Sequence, residues 1–171
     1  AEIKITAEGK VSYHITAGMN LQALAAGESV TDTFTYAIKL GNGALSWATA
    51  SVQILGVNDA PTVTALSSSV HEGGSVTVDA LSGAADADHG AALSVVAPSA
   101  LPEGVTYDAS AHSFTLDAGN AAYDSLAQGE TKLVTVSYGV SDGVAVTPST
   151  VDFTVTGVND VALLGGVHAA D

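Results

Sequence analysis

The sequence has no cysteine, a single tryptophan and only four basic residues, and each shortage excludes something. Without cysteine no disulfide can brace the fold, and small extracellular domains that lack disulfides often rely on metal instead. Four Lys and Arg stand against eighteen Asp and Glu, a formal charge of −14. Nucleic acid is a poor partner for such a chain, because phosphate binding needs clustered basic side chains. An anionic membrane surface is disfavoured for the same reason. No apolar run approaches the roughly 20 residues of a membrane span, so no membrane insertion is expected. No secretory leader is recognisable at Ala1, and the chain reads either as starting inside a larger protein or as using an export route that does not read its N-terminus. Aromatics make up 5% of the 171 residues. That is too few to line a deep pocket with rings, whereas abundant Val, Leu and Ile suit thin β-sandwich cores.

Catalytic signatures are also sparse. Five histidines (His14, His71, His89, His112 and His168) show no metal-ligand spacing. No phosphate-binding loop and no dinucleotide-binding glycine pattern occurs. The chain is not expected to be an enzyme.

What is present is repetition. Gly56-Val57-Asn58-Asp59 recurs as Gly157-Val158-Asn159-Asp160, a shift from 56 to 157 of 101 residues. Leu24-Ala25-Ala26-Gly27-Glu28 matches Leu126-Ala127-Gln128-Gly129-Glu130 at a shift of 102, from 24 to 126. Phe34-Thr35-Tyr36-Ala37-Ile38 matches Val136-Ser137-Tyr138-Gly139-Val140 at that same shift, and Ile3 to Gly18 parallels Val105 to Gly119. Residue 1 corresponds to about position 103, and nothing in the first repeat corresponds to 60–102. The expected organisation is therefore a truncated or split module over 1–59, a complete module over 60–160, and a tail or the start of a further module over 161–171.

Within each repeat the period is two. Phe34, Tyr36 and Ile38 alternate with polar or small residues, as do Val134, Val136, Tyr138 and Val140, and Val151, Phe153 and Val155. Such patterning buries one face and wets the other. Further strands are expected around Val76–Val78, Leu93–Val96, Val105–Tyr107 and Phe114–Leu116. Turns are expected at Glu8-Gly9-Lys10, Gly41-Asn42-Gly43 and Ser141-Asp142-Gly143, residue types that tolerate tight backbone. The expected fold is all-β: tandem Ig-like Greek-key β-sandwiches, the first incomplete at its N-terminus. Asn58-Asp59-Ala60-Pro61 reads as the hinge between them. Trp47, alone on a strand, is expected to be partly buried packing, and Tyr36 and Tyr138 share a core position.

The carboxylates carry the only chemistry on offer. Asp86-Ala87-Asp88 is a loop D-x-D, Asp142 sits in Ser-Asp-Gly, and Asn58-Asp59 lies in the hinge. Hard cations such as calcium take six to eight oxygens from carboxylates, amides and carbonyls, which requires acids from separate loops at one end of a domain. Each acid is equally compatible with a solvated surface.

L-x-x-G-E, then Phe34-x-Tyr36, then the linker G-V-N-D-A-P together resemble the VCBS-type and cadherin-like repeats of giant RTX-type bacterial adhesins, over the chain to about residue 160. In cadherin-like repeats calcium bridges consecutive domains. The resemblance implies a Ca2+ junction using Glu28, Asn58 and Asp59 with Asp86, Asp88 and Asp142. It implies a second cluster of Glu72, Glu130, Asn159 and Asp160 facing a further module. Glu28 and Glu130 each follow a glycine at a strand start, where an ordinary surface acid also fits, and both readings stand. The first repeat departs from the pattern in carrying Lys39-Leu40-Gly41-Asn42 where the second has Ser141-Asp142. The implied function is a calcium-rigidified extender or stalk segment of a secreted adhesin on the bacterial cell surface. Its partners would be neighbouring repeats of the same chain, with host or biofilm ligands held by other domains. It could also flank an inserted ligand-binding domain. The alternative is a glycan- or peptide-binding module of the same kind of adhesin, which calls for exposed aromatics beside convergent polar groups.

Overall fold

A computed structural model describes residues 1–15 and 21–160. The chain divides into two compact units: Ala1–Asp59 together with Asp86–Ala91, and Ala60–Ala85 together with the chain from Ala92 onward. The short loop Asp86–Ala91, within the stretch read from sequence as the second module, packs in the first unit. The expected tail, 161–171, lies outside the described residues.

The first unit holds β1 (Glu2–Ile5), β2 (Val11–His14), a 3-10 turn at Leu21–Ala23, β3 (Ser29–Lys39) and β4 (Leu45–Leu55). The second holds β5 (Thr62–Val63), β6 (Leu66–His71), β7 (Ser75–Asp79), β8 (Ala84–Ala85), β9 (Ser94–Val96), β10 (Val105–Asp108), β11 (Ser113–Asp117), β12 (Thr131–Ser141) and β13 (Val146–Thr156). All the strands expected from alternation are present, with β3 and β13 each beginning five residues before the alternating stretch that announced them.

In the second unit a four-stranded sheet in the order β6-β13-β12-β9 and a three-stranded sheet β10-β11-β7 supply one core, with β5 and β8 pairing separately. Period-two patterning decides what is inside. Val151, Phe153 and Val155 on β13, Val140 on β12, and Phe114 and Leu116 on β11 are all fully buried. Each such side chain contributes about 1.5–3 kcal/mol through burial. Tyr138 is buried too, its hydroxyl donating to the Ala80 carbonyl at 2.8 Å.

Tyr123 closes the other end of this core, donating to the Glu103 carbonyl at 2.6 Å with the Lys132 ammonium 5.0 Å from its ring centre. Burial, and then the nearby Glu103 charge, raise its pKa above the ordinary 10.0. Because the folded state favours the protonated phenol, its contribution to stability is complete below the unfolded-state value and is lost as pH climbs through the raised one. Alkaline titration should therefore show Tyr123 ionising together with loss of β-sheet circular dichroism. A normal phenol titration in an intact fold would contradict this.

The first unit repeats four of these strands. β3 and β4 pair antiparallel from Ser29↔Leu55 to Lys39↔Leu45, as β12 and β13 pair from Thr131↔Thr156 to Ser141↔Val146. β1 and β2 pair over four residues each, as do β10 and β11. Among the described residues β3 and β4 form a two-stranded sheet, whereas β13 also pairs in parallel with β6, Leu66 opposite Val151. The consequence is visible in burial. Ile38 is 52% exposed, while its repeat counterpart Val140 is 0% exposed. Phe34, Tyr36, Val52 and Ile54 are only half-buried.

An open strand edge beside partly exposed apolar residues promotes association. The 171-residue chain is expected to self-associate with rising concentration, as read by size exclusion with light scattering. A monomer at every concentration, with the β3–β4 amides strongly protected from exchange, would contradict that.

Candidate cation site

The two repeated motifs turn out to be halves of one clasp. In the first unit the Glu28 N–H donates to the Ala25 carbonyl at 3.0 Å, and the Ala25 N–H donates to Glu28 Oε2 at 3.0 Å. The Gly56 N–H then donates to the Glu28 carbonyl at 2.9 Å. In the second unit Glu130, Ala127 and Gly157 make the same three bonds, at 2.8, 3.0 and 2.8 Å. Glycine is required at the closing position. A Cβ on Gly56 would land on the carbonyl oxygens of Leu24 and Ala25, and one on Gly157 on those of Leu126 and Ala127. L-x-x-G-E and G-V-N-D are thus tied together by backbone packing. One carboxylate oxygen of Glu28 and of Glu130 is engaged in the turn. The other oxygen of Glu28, Oε1, lies 3.9 Å from His89 Nδ1.

The hinge and the D-x-D loop meet within the first unit. The Asp59 N–H donates to Asp88 Oδ2 at 3.0 Å, and the Asp88 N–H donates to Asp86 Oδ1 at 2.8 Å, an Asx turn. The His89 N–H donates to the Ala23 carbonyl at 2.9 Å and pins the loop. Asp88 is 8% exposed, unusual for a carboxylate. Two oxygens are left over, since Asp86 Oδ2 and Asp88 Oδ1 are buried without a hydrogen-bond partner. Burying carboxylate oxygens unpaired is costly, and a bound cation is one way to satisfy them. Among the described residues no group of three or more His, Cys, Asp or Glu side chains stands ready to hold a metal ion. A cation here would need carbonyls and water to complete its oxygen shell.

Other candidate residues make local hydrogen bonds. Asn58 Nδ2 donates to the Asp59 carbonyl at 3.0 Å. Asp142, in the second unit, accepts at Oδ1 from the Val144 and Ala145 N–H groups, both at 2.7 Å. Glu72 Oε2 accepts from the Val158 N–H at 3.0 Å, stapling the chain after β13 to the β6–β7 turn. Asn159 Nδ2 donates to the Asp160 carbonyl at 3.1 Å, repeating the Asn58–Asp59 contact.

Sequence reading missed two features. Gly139-Val140-Ser141-Asp142-Gly143 spells Gly-x-Ser-x-Gly, a nucleophile-elbow pattern. It lies at the end of β12 leading into a β-hairpin, without the strand–turn–helix setting that exposes such a serine. Ser141 Oγ instead accepts from the Gly143 N–H at 3.0 Å. Trp47, expected to pack, is 68% exposed on the outward face of β4. A two-stranded sheet gives that face nothing to pack against among the described residues.

Two sheets around one core, Greek-key strand order and an N–H-satisfied carboxylate loop define an Ig-like β-sandwich repeat. The family model "Bacterial Ig domain" matches residues 58–156, more than half of the chain, and the chain belongs to that family. No curated protein matches it. Among solved structures, protocadherin gamma C5 EC1-3 is similar at 14% identity and a TM-score of 0.49, covering 91% of this chain and 51% of that one. Mouse clustered PcdhgC3 EC1-3 gives 15% identity and a TM-score of 0.46, over 92% of this chain and 52% of that one. An endo-fucoidan hydrolase of glycoside hydrolase family 107 gives 16% identity and a TM-score of 0.43, over 81% of this chain and 20% of that one. The chain spans about half the length of the protocadherin fragments. Likeness at these scores speaks to neither ligand nor activity. Among the described residues no helix is long and apolar enough to cross a membrane.

Proposed function

We propose that this chain is a calcium-stiffened structural segment of a large secreted surface protein, an extender in an adhesin of the VCBS-containing, RTX type. The observation that supports this most is the pair of buried carboxylate oxygens without partners, Asp86 Oδ2 and Asp88 Oδ1, in a loop hydrogen-bonded to the hinge residue Asp59. Asp86 and Asp88 would supply the first ligands. Glu28 through Oε1, Asn58, Asp59 and Asp142 are the proposed remainder of the set. Calcium, bound there, would neutralise like charges that at about 4 Å repel by about 1 kcal/mol in water and about 4 kcal/mol at an effective dielectric of 20. Held by the ion, the hinge 56–61 loses its freedom to flex, and force passes along the array. Glu72, Glu130, Asn159 and Asp160 are proposed as the equivalent half-site for a following repeat. Calorimetric titration with calcium tests this: the chain should take up the ion, and Asp86→Ala with Asp88→Ala should abolish most of the heat. No heat in the unaltered chain would end the proposal.

One observation favours the second reading, a glycan- or peptide-binding face. Trp47 stands exposed at one end of β4, on the same face as a ladder of polar pairs. Thr35 and Thr49 are 3.4 Å apart at their hydroxyls, Thr33 and Ser51 3.3 Å, and Gln53 donates to Ser29 at 3.3 Å. An aromatic plane beside hydrogen-bonding groups suits the apolar face of a sugar. Trp47 is the only tryptophan, so its fluorescence reports this face alone. Saturable change on adding neutral oligosaccharides would favour the second reading, and an unchanged spectrum would remove it.

A further inference from the structure

The loop between β3 and β4 and the loop between β12 and β13 occupy the same place in the repeat, each between two eleven-residue strands. Both turn on a short polar side chain followed by a left-handed glycine. Gly43 has φ 85 and Gly143 has φ 94. Asn42 Oδ1 accepts from the Ala44 N–H at 3.0 Å, as Asp142 Oδ1 accepts from the Val144 N–H at 2.7 Å. Asn42 is therefore the neutral counterpart of Asp142. Of the five asparagines, at 20, 42, 58, 120 and 159, only Asn42 precedes a glycine.

We propose that Asn42 is a site of spontaneous deamidation, which converts the first repeat's neutral hairpin tip into the carboxylate tip that the second repeat already has. The reaction needs the backbone nitrogen of the next residue to reach the side-chain carbonyl carbon. Glycine at 43 puts no Cβ in the way, and the whole loop from Leu40 to Ala44 is exposed to the water that the reaction consumes. The Asx turn assists, because the Ala44 N–H already points at Asn42 Oδ1, where negative charge builds as the nitrogen attacks. The Gly43 N–H, which donates to the Leu40 carbonyl at 2.9 Å, must first leave that bond.

The steps balance without any oxidant or reductant. Hydroxide removes the Gly43 amide proton, the nitrogen bonds to Asn42 Cγ, and the Cγ–Nδ2 bond breaks. Nδ2 leaves as ammonia after gaining a proton from water, and a five-membered succinimide remains. A water molecule then opens either ring carbonyl. Breaking the new nitrogen–Cγ bond gives an aspartate at position 42, and breaking the original peptide bond gives an isoaspartate. One water is consumed and one ammonia released. Both products add one negative charge to the tip. The aspartate keeps the Asx turn, whereas the isoaspartate lengthens the backbone and loses it.

Peptide mapping by mass spectrometry of the full chain, held at 37 °C in mildly alkaline and in mildly acidic buffer, tests this. Conversion is expected at Asn42 ahead of Asn58, Asn120 and Asn159, about tenfold faster per pH unit because hydroxide takes part. Gly43→Ala is expected to slow it about tenfold or more by crowding the attacking nitrogen. An intact Asn42 alongside other converted asparagines would overturn the proposal, as would a rate indifferent to pH or to Gly43→Ala. The calcium consequence rests on the proposed function and is read separately. Asn42→Asp should take up more calcium than the unaltered chain, if hairpin aspartates are ligands as proposed for Asp142. Absence of calcium uptake in both chains would defeat the calcium reading and leave the mapping result to decide the deamidation.

Discussion

Gly157→Ala is expected to lower the melting temperature of the second unit by on the order of 10–20 °C, corresponding to about 2–4 kcal/mol. The added Cβ would occupy the space of the Leu126 and Ala127 carbonyl oxygens. Those oxygens belong to the backbone and cannot step aside as a flexible side chain would. Relief would require opening the turn and, with it, the Gly157-to-Glu130 and Gly129-to-Gly157 hydrogen bonds. Gly143→Ala is the proper control. It asks for a residue at φ 94 but meets no atom within 4 Å, so it should cost only about 1 kcal/mol of backbone strain. Thermal melts followed by circular dichroism compare the two directly. Equal, small losses would mean that the clasp between the motifs contributes nothing to stability.

That glycine also shows how far the sequence could be followed. The repetition of G-V-N-D and L-x-x-G-E was plain, but its physical reason was not. Both motifs stood out as carriers of acids, and the structure shows that Gly157 and the Leu126 and Ala127 carbonyls explain much of the pattern by close packing alone. Strands with strong alternation, such as β12 and β13, were legible because Val136, Val140, Val151 and Phe153 each announce an inward face. β6 was not. Leu66-Ser67-Ser68-Ser69-Val70-His71 has little strand propensity, and it forms because β13 offers a parallel partner over six residues. Tyr123 and its bond to the Glu103 carbonyl were missed for a similar reason, since a lone tyrosine among turn residues carries no periodic signal. Within the candidate site, the D-x-D spacing of Asp86 and Asp88 drew attention to a loop whose two carboxylates hold buried oxygens without hydrogen-bond partners. It could not show that Asp88 would be buried or that the loop belongs with the first unit.

Calcium should raise the melting temperature of the part of the chain that holds Asp86 and Asp88. Extracellular modules bind calcium with dissociation constants of roughly 0.1–1 mM, and at about 10 mM free ion this stabilises the folded state by about 1.4–2.7 kcal/mol. Chelator should remove all of that increment. Asp88→Asn preserves the shape of the side chain and its capacity to accept the Asp59 N–H, but removes its charge. It should therefore melt no lower than the unaltered chain in chelator while losing most of the gain in calcium. This pattern separates cation binding from ordinary damage to a buried residue. A variant that melts equally low in both conditions would mark Asp88 as a purely structural acid.

Stiffening is the central claim, and small-angle scattering tests it most directly. With calcium the chain should give one narrow distribution of shapes, and with chelator a broader one, measured at a concentration low enough to exclude self-association. Asp59→Ala should broaden the distribution even in calcium, because it removes the hinge carboxylate, while strand content stays that of the unaltered chain. Scattering that is the same in calcium and in chelator would contradict the account and return Asp59, Asp86 and Asp88 to the role of hydrogen-bonded loop residues.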